Sequence, residues 1–255
     1  MDHHYVPQFL LQPWSVGSAD GRLETFRLDL PNLPSKRLTP RSTGFEPDLY
    51  ALSKPVVAGM EQQAIEKNLL RIVDNSGAIA RRKLDLEGLQ SLTDQQRIDW
   101  VRFLMSLRVR RPQIVEKLKR EGAEMLRNNL AADPHEYENM RKEGDEPTLE
   151  DWAEARFPGI VENIGLSMFG KLVVNPKIGN KILNNSRWSI FDFSQSSHEF
   201  LLADDPLIFV GDIDQPGLII ALPITPTKLF MITRREVNRL DQKAFIELIN
   251  GQSVL

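Results

Sequence analysis

Cysteine is absent from the 255 residues, which excludes disulfides, thiolate metal sites and a cysteine nucleophile. No apolar run approaches the roughly 18–20 residues that cross a bilayer as a helix, so no membrane partner is expected. The opening residues lack the basic region and apolar stretch of a signal peptide. Together these features predict a cytoplasmic location. Also missing are the Walker-type phosphate loop, the dinucleotide glycine fingerprint, the His-Glu-x-x-His zinc helix and the Gly-x-Ser-x-Gly elbow. Their absence argues against the common nucleotide-binding, zinc-protease and serine-hydrolase designs. Histidine is scarce at four residues, so the position of each one is informative.

Two of the four open the chain, in the run His3-His4-Tyr5-Val6-Pro7-Gln8-Phe9-Leu10-Leu11. Chain ends are usually frayed and polar. This one carries Tyr5, Val6, Phe9, Leu10, Leu11 and Trp14, which favour burial, so it is expected to dock and bring two imidazoles with it. Imidazole changes charge near neutral pH and is the commonest metal ligand. In an extended strand adjacent side chains point to opposite faces, so one histidine of the pair serves any given site.

The remaining composition is that of an ordinary soluble protein, 41% apolar and 26% charged. The length suits one domain spanning residues 1–255. A net charge of −3 hides an asymmetry. Between Arg97 and Arg127 stand nine basic residues and four acids, while between Asp133 and Glu162 stand ten acids and three basic residues. Such blocks are either solvated faces with local ion pairs or a charged surface for a partner such as nucleic acid.

Three parts are expected. Residues 1–57 read as an extended segment: Leu23 to Leu30 alternates with the period of a half-buried strand, and Trp14 to Val16 is a hairpin partner for it across the Ala19-Asp20-Gly21 turn. Prolines 31, 34, 40, 47 and 55 then hold an extended path. Residues 58–170 read as helical. Ile65, Leu69, Ile72 and Val73 share one face, and Gly77 suits that helix's end. Thr93 and Gln96 form a capping box for a second helix, and Pro112 kinks or restarts it. Asp133-Pro134 breaks the pattern ahead of an acidic, exposed stretch, Thr148 caps a short helix, and another runs from Ile160 to Phe169. Residues 171–255 read as strands over 172–174, 188–193, 200–203, 207–210, 218–222 and 228–232, followed by a helix from Arg235 to about Asn250. With few helices between the strands, pairing should be mostly antiparallel. The fold class is α+β: a helical middle segment packed on a mostly antiparallel C-terminal sheet, with an N-terminal extended or hairpin segment.

The opening run resembles the start of the bacterial proteins grouped as domain of unknown function 4238, whose pattern is a histidine, three residues, a proline, one residue and then an aromatic and apolar run. Other stations agree in order. Gly44-Phe45-Glu46 through Tyr50 is similar to the family's aromatic segment, Glu61 with Glu66 to an acidic helix, and Phe103 through Arg111-Pro112 to its arginine-proline helix. Trp188 resembles a tryptophan opening the family's sheet, and Leu222-Pro223-Ile224-Thr225-Pro226 its Leu-Thr-Pro segment. The Ala203-Asp204-Asp205-Pro206 turn is similar to one usually written Ser-Asp-Asn-Pro, with a methyl and a carboxylate in place of a hydroxyl and an amide. The resemblance runs from His3 to Asn250 and implies the fold; the family carries no reaction to transfer. Its spacing to Pro7 singles out His3 of the pair.

Several candidate site residues emerge. His3 is a metal ligand or general base, or else an anchor bonded to the backbone. Asp204 and Asp205 would hold a divalent metal through oxygen, or bond nearby amides as turn residues; Pro206 restricts Asp205 to extended backbone. Arg108, Arg110 and Arg111 would grip a phosphate, or Arg111 would cap carbonyls or pair with Asp204 or Asp205. Glu61 and Glu66, five apart, form no helical ligand pair, and at least one should face solvent. One functional expectation is a metal-dependent phosphodiesterase or nuclease. In it His3, Asp204 and Asp205 hold a divalent ion, His3 and Asp205 act at the reacting centre, and Arg108 or Arg111 neutralises phosphate. The alternative is a non-catalytic binding or regulatory protein, in defence or stress response, or a relative whose altered turn has lost the shared activity. The expected partner is nucleic acid or another phosphate-bearing ligand.

Overall fold

A computed structural model describes residues 1–53, 61–184, 186–234, 246–247 and 249–251. The apolar N-terminus docks as expected. Strand β1 (Asp2–His4) is followed by helix α1 (Gln8–Leu11), which starts after Pro7 and buries Leu10 and Leu11. The alternating segment forms β2 (Leu23–Phe26), which pairs antiparallel with β3 (Ser35–Leu38). Its partner is therefore not Trp14 to Val16. Pro13 sits in the first turn of a 3₁₀ helix, Gln12–Ser15, where a missing N–H is harmless. The Trp14 indole N–H then reaches the Phe200 carbonyl at 2.8 Å, giving a half-buried indole the acceptor it needs. Strand β4 (Phe45–Pro47) pairs antiparallel with β1, setting His3 opposite Glu46.

The helical middle is longer and more continuous than its glycines predict. A π-helical turn, Ile65–Leu70, runs directly into α2 (Arg71–Leu86). The wide turn shifts the helical register, which explains why Ile72 is 64% exposed while Val73 is buried. Gly77 does not end α2; it lies inside it, where an added Cβ would stand 2.8 Å from the Phe103 ring. Helix α3 (Asp94–Val109) begins at the expected capping box, with Thr93 and Gln96 each bonding the other's backbone N–H. Pro112 restarts the chain as α4 (Pro112–Leu130). Asp133 caps α5 (Pro134–Met140) and Thr148 caps α6 (Leu149–Arg156). Helix α7 (Ile160–Val173) continues past Phe169 because Leu166, Phe169 and Val173 form one buried stripe. The strand expected over 172–174 is therefore the end of this helix, and α8 (Pro176–Asn184) follows.

The C-terminal strands are β5 (Arg187–Asp192), β6 (Ile208–Val210), β7 (Ile219–Thr225) and β8 (Lys228–Thr233). They form one antiparallel sheet in the order β5-β8-β7-β6. Residues 200–203 form no strand. Their segment spends its backbone on other partners: the Phe200 N–H on the Pro226 carbonyl, the Phe200 carbonyl on Trp14, and the Leu201 N–H on the Asn250 side chain. Side-chain period two sorts the sheet's two faces. Ile220, Leu222, Ile224, Phe230 and Ile232 join the main core with Trp100 and Phe103 of α3, and Trp100 meets Phe230 edge-on at 5.4 Å. Ala221, Leu229 and Met231 face the other way, onto Phe193, Phe200, Ile246 and Ile249. Of the expected final helix, residues 235–245 and 248 lie outside the described residues; 246, 247 and 249–251 are helical. The α+β arrangement, helices packed on an antiparallel sheet, is thus what the chain adopts.

Helices α4 and α7 cross at two glycines: a Cβ on Gly122 would lie 2.8 Å from the Gly165 Cα, and one on Gly165 would collide with the Leu118 backbone. Rigid backbone cannot yield as a side chain does. Gly165→Ala is therefore expected to cost about 3 kcal/mol in urea denaturation. In the same helix Gly170→Ala meets only Leu69 Cδ2 at 3.7 Å, and should be neutral or stabilising by up to about 1 kcal/mol. Equal effects of the two changes would refute this account of the crossing.

Candidate functional site

β1 turns His3 inward, fully buried, and His4 to the opposite, partly open side. The Tyr50 backbone N–H donates to His3 Nδ1 at 2.9 Å. That nitrogen must be unprotonated, so the proton sits on Nε2, which donates to Gln63 Oε1 at 2.5 Å. The Gln63 amide is turned the right way because its NH2 donates to Asp48 Oδ1 at 2.9 Å. Both ring nitrogens of His3 are thus engaged, and the ring stacks on Tyr50 at 5.4 Å and 7°. Burial lowers the His3 pKa, with the Gln63 bond opposing. His4 Nε2 donates to the Arg41 carbonyl at 3.2 Å. Here the alternation of the first strand divides the two histidines as the sequence implied.

Tyr50 carries the connection inward. Its hydroxyl donates to the Arg110 carbonyl at 2.7 Å, just past the end of α3. Arg110 itself is completely buried and forks onto Asp74 of α2 at 2.8 and 3.2 Å, with a further bond to Ser106 Oγ at 2.5 Å. A buried guanidinium without a carboxylate would be prohibitively costly. Near this pair lies Glu66, on the π-helical turn, with Oε2 buried and unpartnered. Burial, then the charge of Asp74, push its carboxyl up to about 7, against the pull of Arg110. Glu61, by contrast, is exposed and pairs with Lys67 at 2.5 Å.

The three arginines part company where one helix ends and the next begins: Arg108 lies in the last turn of α3, Arg110 is its C-cap, and Arg111, in extended backbone, is the N-cap of α4. While Arg110 goes inward, Arg108 and Arg111 share the outer side and line a cleft of about 210 Å³ with Asp205, Leu207 and Phe209. Arg108 lays its guanidinium over the Phe209 ring at 3.9 Å, a favourable cation–π placement. Arg111 pairs with Asp205, one of the alternatives the sequence left open. Burial raises the Asp205 pKa and the Arg111 charge opposes it. Tyr5, directly after β1, sits beside Asp204; burial first, then the charges of Asp204 and Glu46, push its hydroxyl up to about 12.

The candidate residues are therefore distributed over distinct contacts: His3 on Tyr50 and Gln63, Arg111 and Asp205 on each other, and Asp204 beside Tyr5. Among the described residues no group of three or more His, Asp or Glu side chains is placed to hold a metal ion. The chain start and the acidic turn do meet, through Tyr5. Much of the basic block is spent on ion pairs: Arg102, Arg110, Arg111, Lys117, Lys119 and Arg127 each pair with a carboxylate. The sequence reading overlooked Asp74 and Tyr5. Tyr5 could have been found from its place beside a docked histidine strand. Asp74 carries no sequence signal, because its role depends on which helix packs against α2.

The chain is thus an α+β protein with a buried Arg–Asp pair and, outside it, a cleft of two arginines and one carboxylate. Its sequence matches, over residues 2–250, the family described as Protein of unknown function (DUF4238), and it belongs to that family. No match was found among curated proteins or among solved structures.

The sign of the Glu66 shift makes a prediction. Its folded pKa of about 7 lies above the ordinary glutamate value of about 4.3. The folded state therefore holds the proton more tightly, and its contribution to stability is lost as pH rises from that range through about 7. His3 acts oppositely, since its lowered pKa takes stability away as pH falls below about 6.5. Glu66→Gln should raise the Tm more at pH 8 than at pH 5, read by thermal unfolding. A gain that is the same at both values would show that Glu66 is not a strained acid.

Proposed function

We propose that this protein binds a phosphate-bearing ligand in the cleft between α3, α4 and β6, with Arg108 and Arg111 holding the phosphate. The observation that carries this reading is Arg108. Its guanidinium rests on Phe209 at the cleft wall, and among the described residues no carboxylate pairs with it. Guanidinium groups present paired N–H donors that match phosphate oxygens, and Arg111 stands on the same wall.

The metal-dependent phosphodiesterase or nuclease is the enzymatic form of this reading. Asp204 and Asp205 would supply oxygen ligands to a divalent ion, with Asp205 exchanging its bond to Arg111 for the metal. His3 enters that scheme as the anchor that fixes β1 and Tyr5 beside the turn, since both its nitrogens are taken. The non-catalytic form, a binding or regulatory protein, uses the same two arginines and no hydrolysis. Nucleic acid is one partner that offers the required phosphates.

Arg108→Leu keeps an apolar contact on Phe209 while deleting the charge. It is expected to weaken binding of a small phosphate ester by about 10- to 100-fold in titration calorimetry, in line with hydrogen bonds to charged groups. Unchanged affinity, or no phosphate binding by the unmodified protein, would overturn the reading. Phosphodiester cleavage that appears on adding Mg²⁺ or Mn²⁺ and is lost in Asp204→Asn selects the enzymatic form. Binding without turnover selects the other.

A further inference from the structure

We propose that the cleft discriminates by ligand charge, accepting the singly charged phosphate of a diester over the doubly charged phosphate of a monoester, with Asp205 as the residue that sets the preference. The inference rests on the phosphate reading above and deepens it. Two guanidinium groups, Arg108 and Arg111, and one carboxylate, Asp205, line the cleft, leaving one positive charge to be matched. Beyond them Asp204 lies near Tyr5 and Arg27 is committed to Asp29 at 2.6 Å, so neither adds a second positive charge. A monoanion neutralises the cleft. A dianion brings an uncompensated negative charge against Asp205, which is held in place by Arg111; like charges brought together at short range repel strongly in a partly dry site.

The shape and donor count point the same way. Arg108 is the arginine whose nitrogens are not committed to a carboxylate, and a guanidinium fork engages two oxygens at once. A phosphodiester has two unesterified oxygens and so fits one fork. A monoester has a third, which would face the Asp205 carboxylate or draw on Arg111 at the expense of its pair with Asp205.

The test compares phenyl phosphate with methyl phenyl phosphate by titration calorimetry at pH 8. The first is doubly charged there, because phosphate monoesters lose their second proton near about pH 6; the second carries one charge and is nearly the same size. The diester is expected to bind about tenfold more tightly. Asp205→Asn should raise the affinity for phenyl phosphate more than that for the diester, since the repulsion it removes scales with ligand charge, and so narrow or remove the preference. Asp205→Glu, which keeps the charge, should retain it. A wild-type preference for phenyl phosphate overturns the proposal but leaves the phosphate reading standing, and so does an Asp205→Asn gain equal for both probes. Absence of binding by either probe overturns both. Extending the series to a dinucleoside monophosphate and a short-chain phosphatidylglycerol tells a nucleic-acid backbone from a lipid head group; tighter binding of either than of phenyl phosphate supports the proposal, and weaker binding of both overturns it.

Discussion

A guanidinium that is wholly out of water must be given a negative partner, and Arg110 receives one from Asp74 in a two-bond fork. That single requirement organises the helical half of the molecule. It fixes α2 against the end of α3, and it fixes the rotation of α3 about its own axis. With Arg110 committed inward at the end of α3, Arg108 two residues earlier lies on another side of that helix, and Arg111, in the extended backbone that opens α4, lines the same cleft. The cleft is in this sense a by-product of a buried ion pair. Burial first, and then the Asp74 carboxylate of that pair, raise the cost of ionising Glu66 nearby, against the pull of Arg110.

The N-terminal strand is tied to this centre by hydrogen bonds. A neutral imidazole is the one common side chain that can accept with one ring nitrogen and donate with the other. His3 uses both capacities, joining the Tyr50 backbone to Gln63, and Tyr50 passes the connection on to the Arg110 carbonyl. Docking β1 in this way carries Tyr5 to Asp204. The first and last parts of the chain thus meet at the edge of the cleft, and the residue that makes the meeting is an aromatic hydroxyl.

Much of the fold was legible in the sequence because it rests on local chemistry. The Thr93–Gln96 box, Pro112 and Thr148 each mark a helix start through bonds made within a few residues, and strands β7 and β8 announce themselves by apolar residues bounded by turns. The misreadings have a common cause. Gly77 looks like a helix end and is instead the gap that admits Phe103. Residues 172–174 look like a strand and complete a helix stripe. Phe200 to Ala203 looks like a strand, yet its backbone is claimed by Trp14, Pro226 and Asn250. In each case a partner distant in sequence decided the outcome, and local pattern carries no record of it.

By itself the sequence determined the family, the α+β class, the docked histidine terminus and the alternation that separates His3 from His4, since these follow from composition, side-chain period and short-range bonding. Only the tertiary structure decided which arginine is buried, that Asp74 is its counter-charge, that Arg111 takes Asp205, and that Arg108 lies over Phe209. The physical reason is that charge pairing acts through space. A lone sequence shows which charges a chain owns, whereas folding alone shows which of them are left facing the cleft.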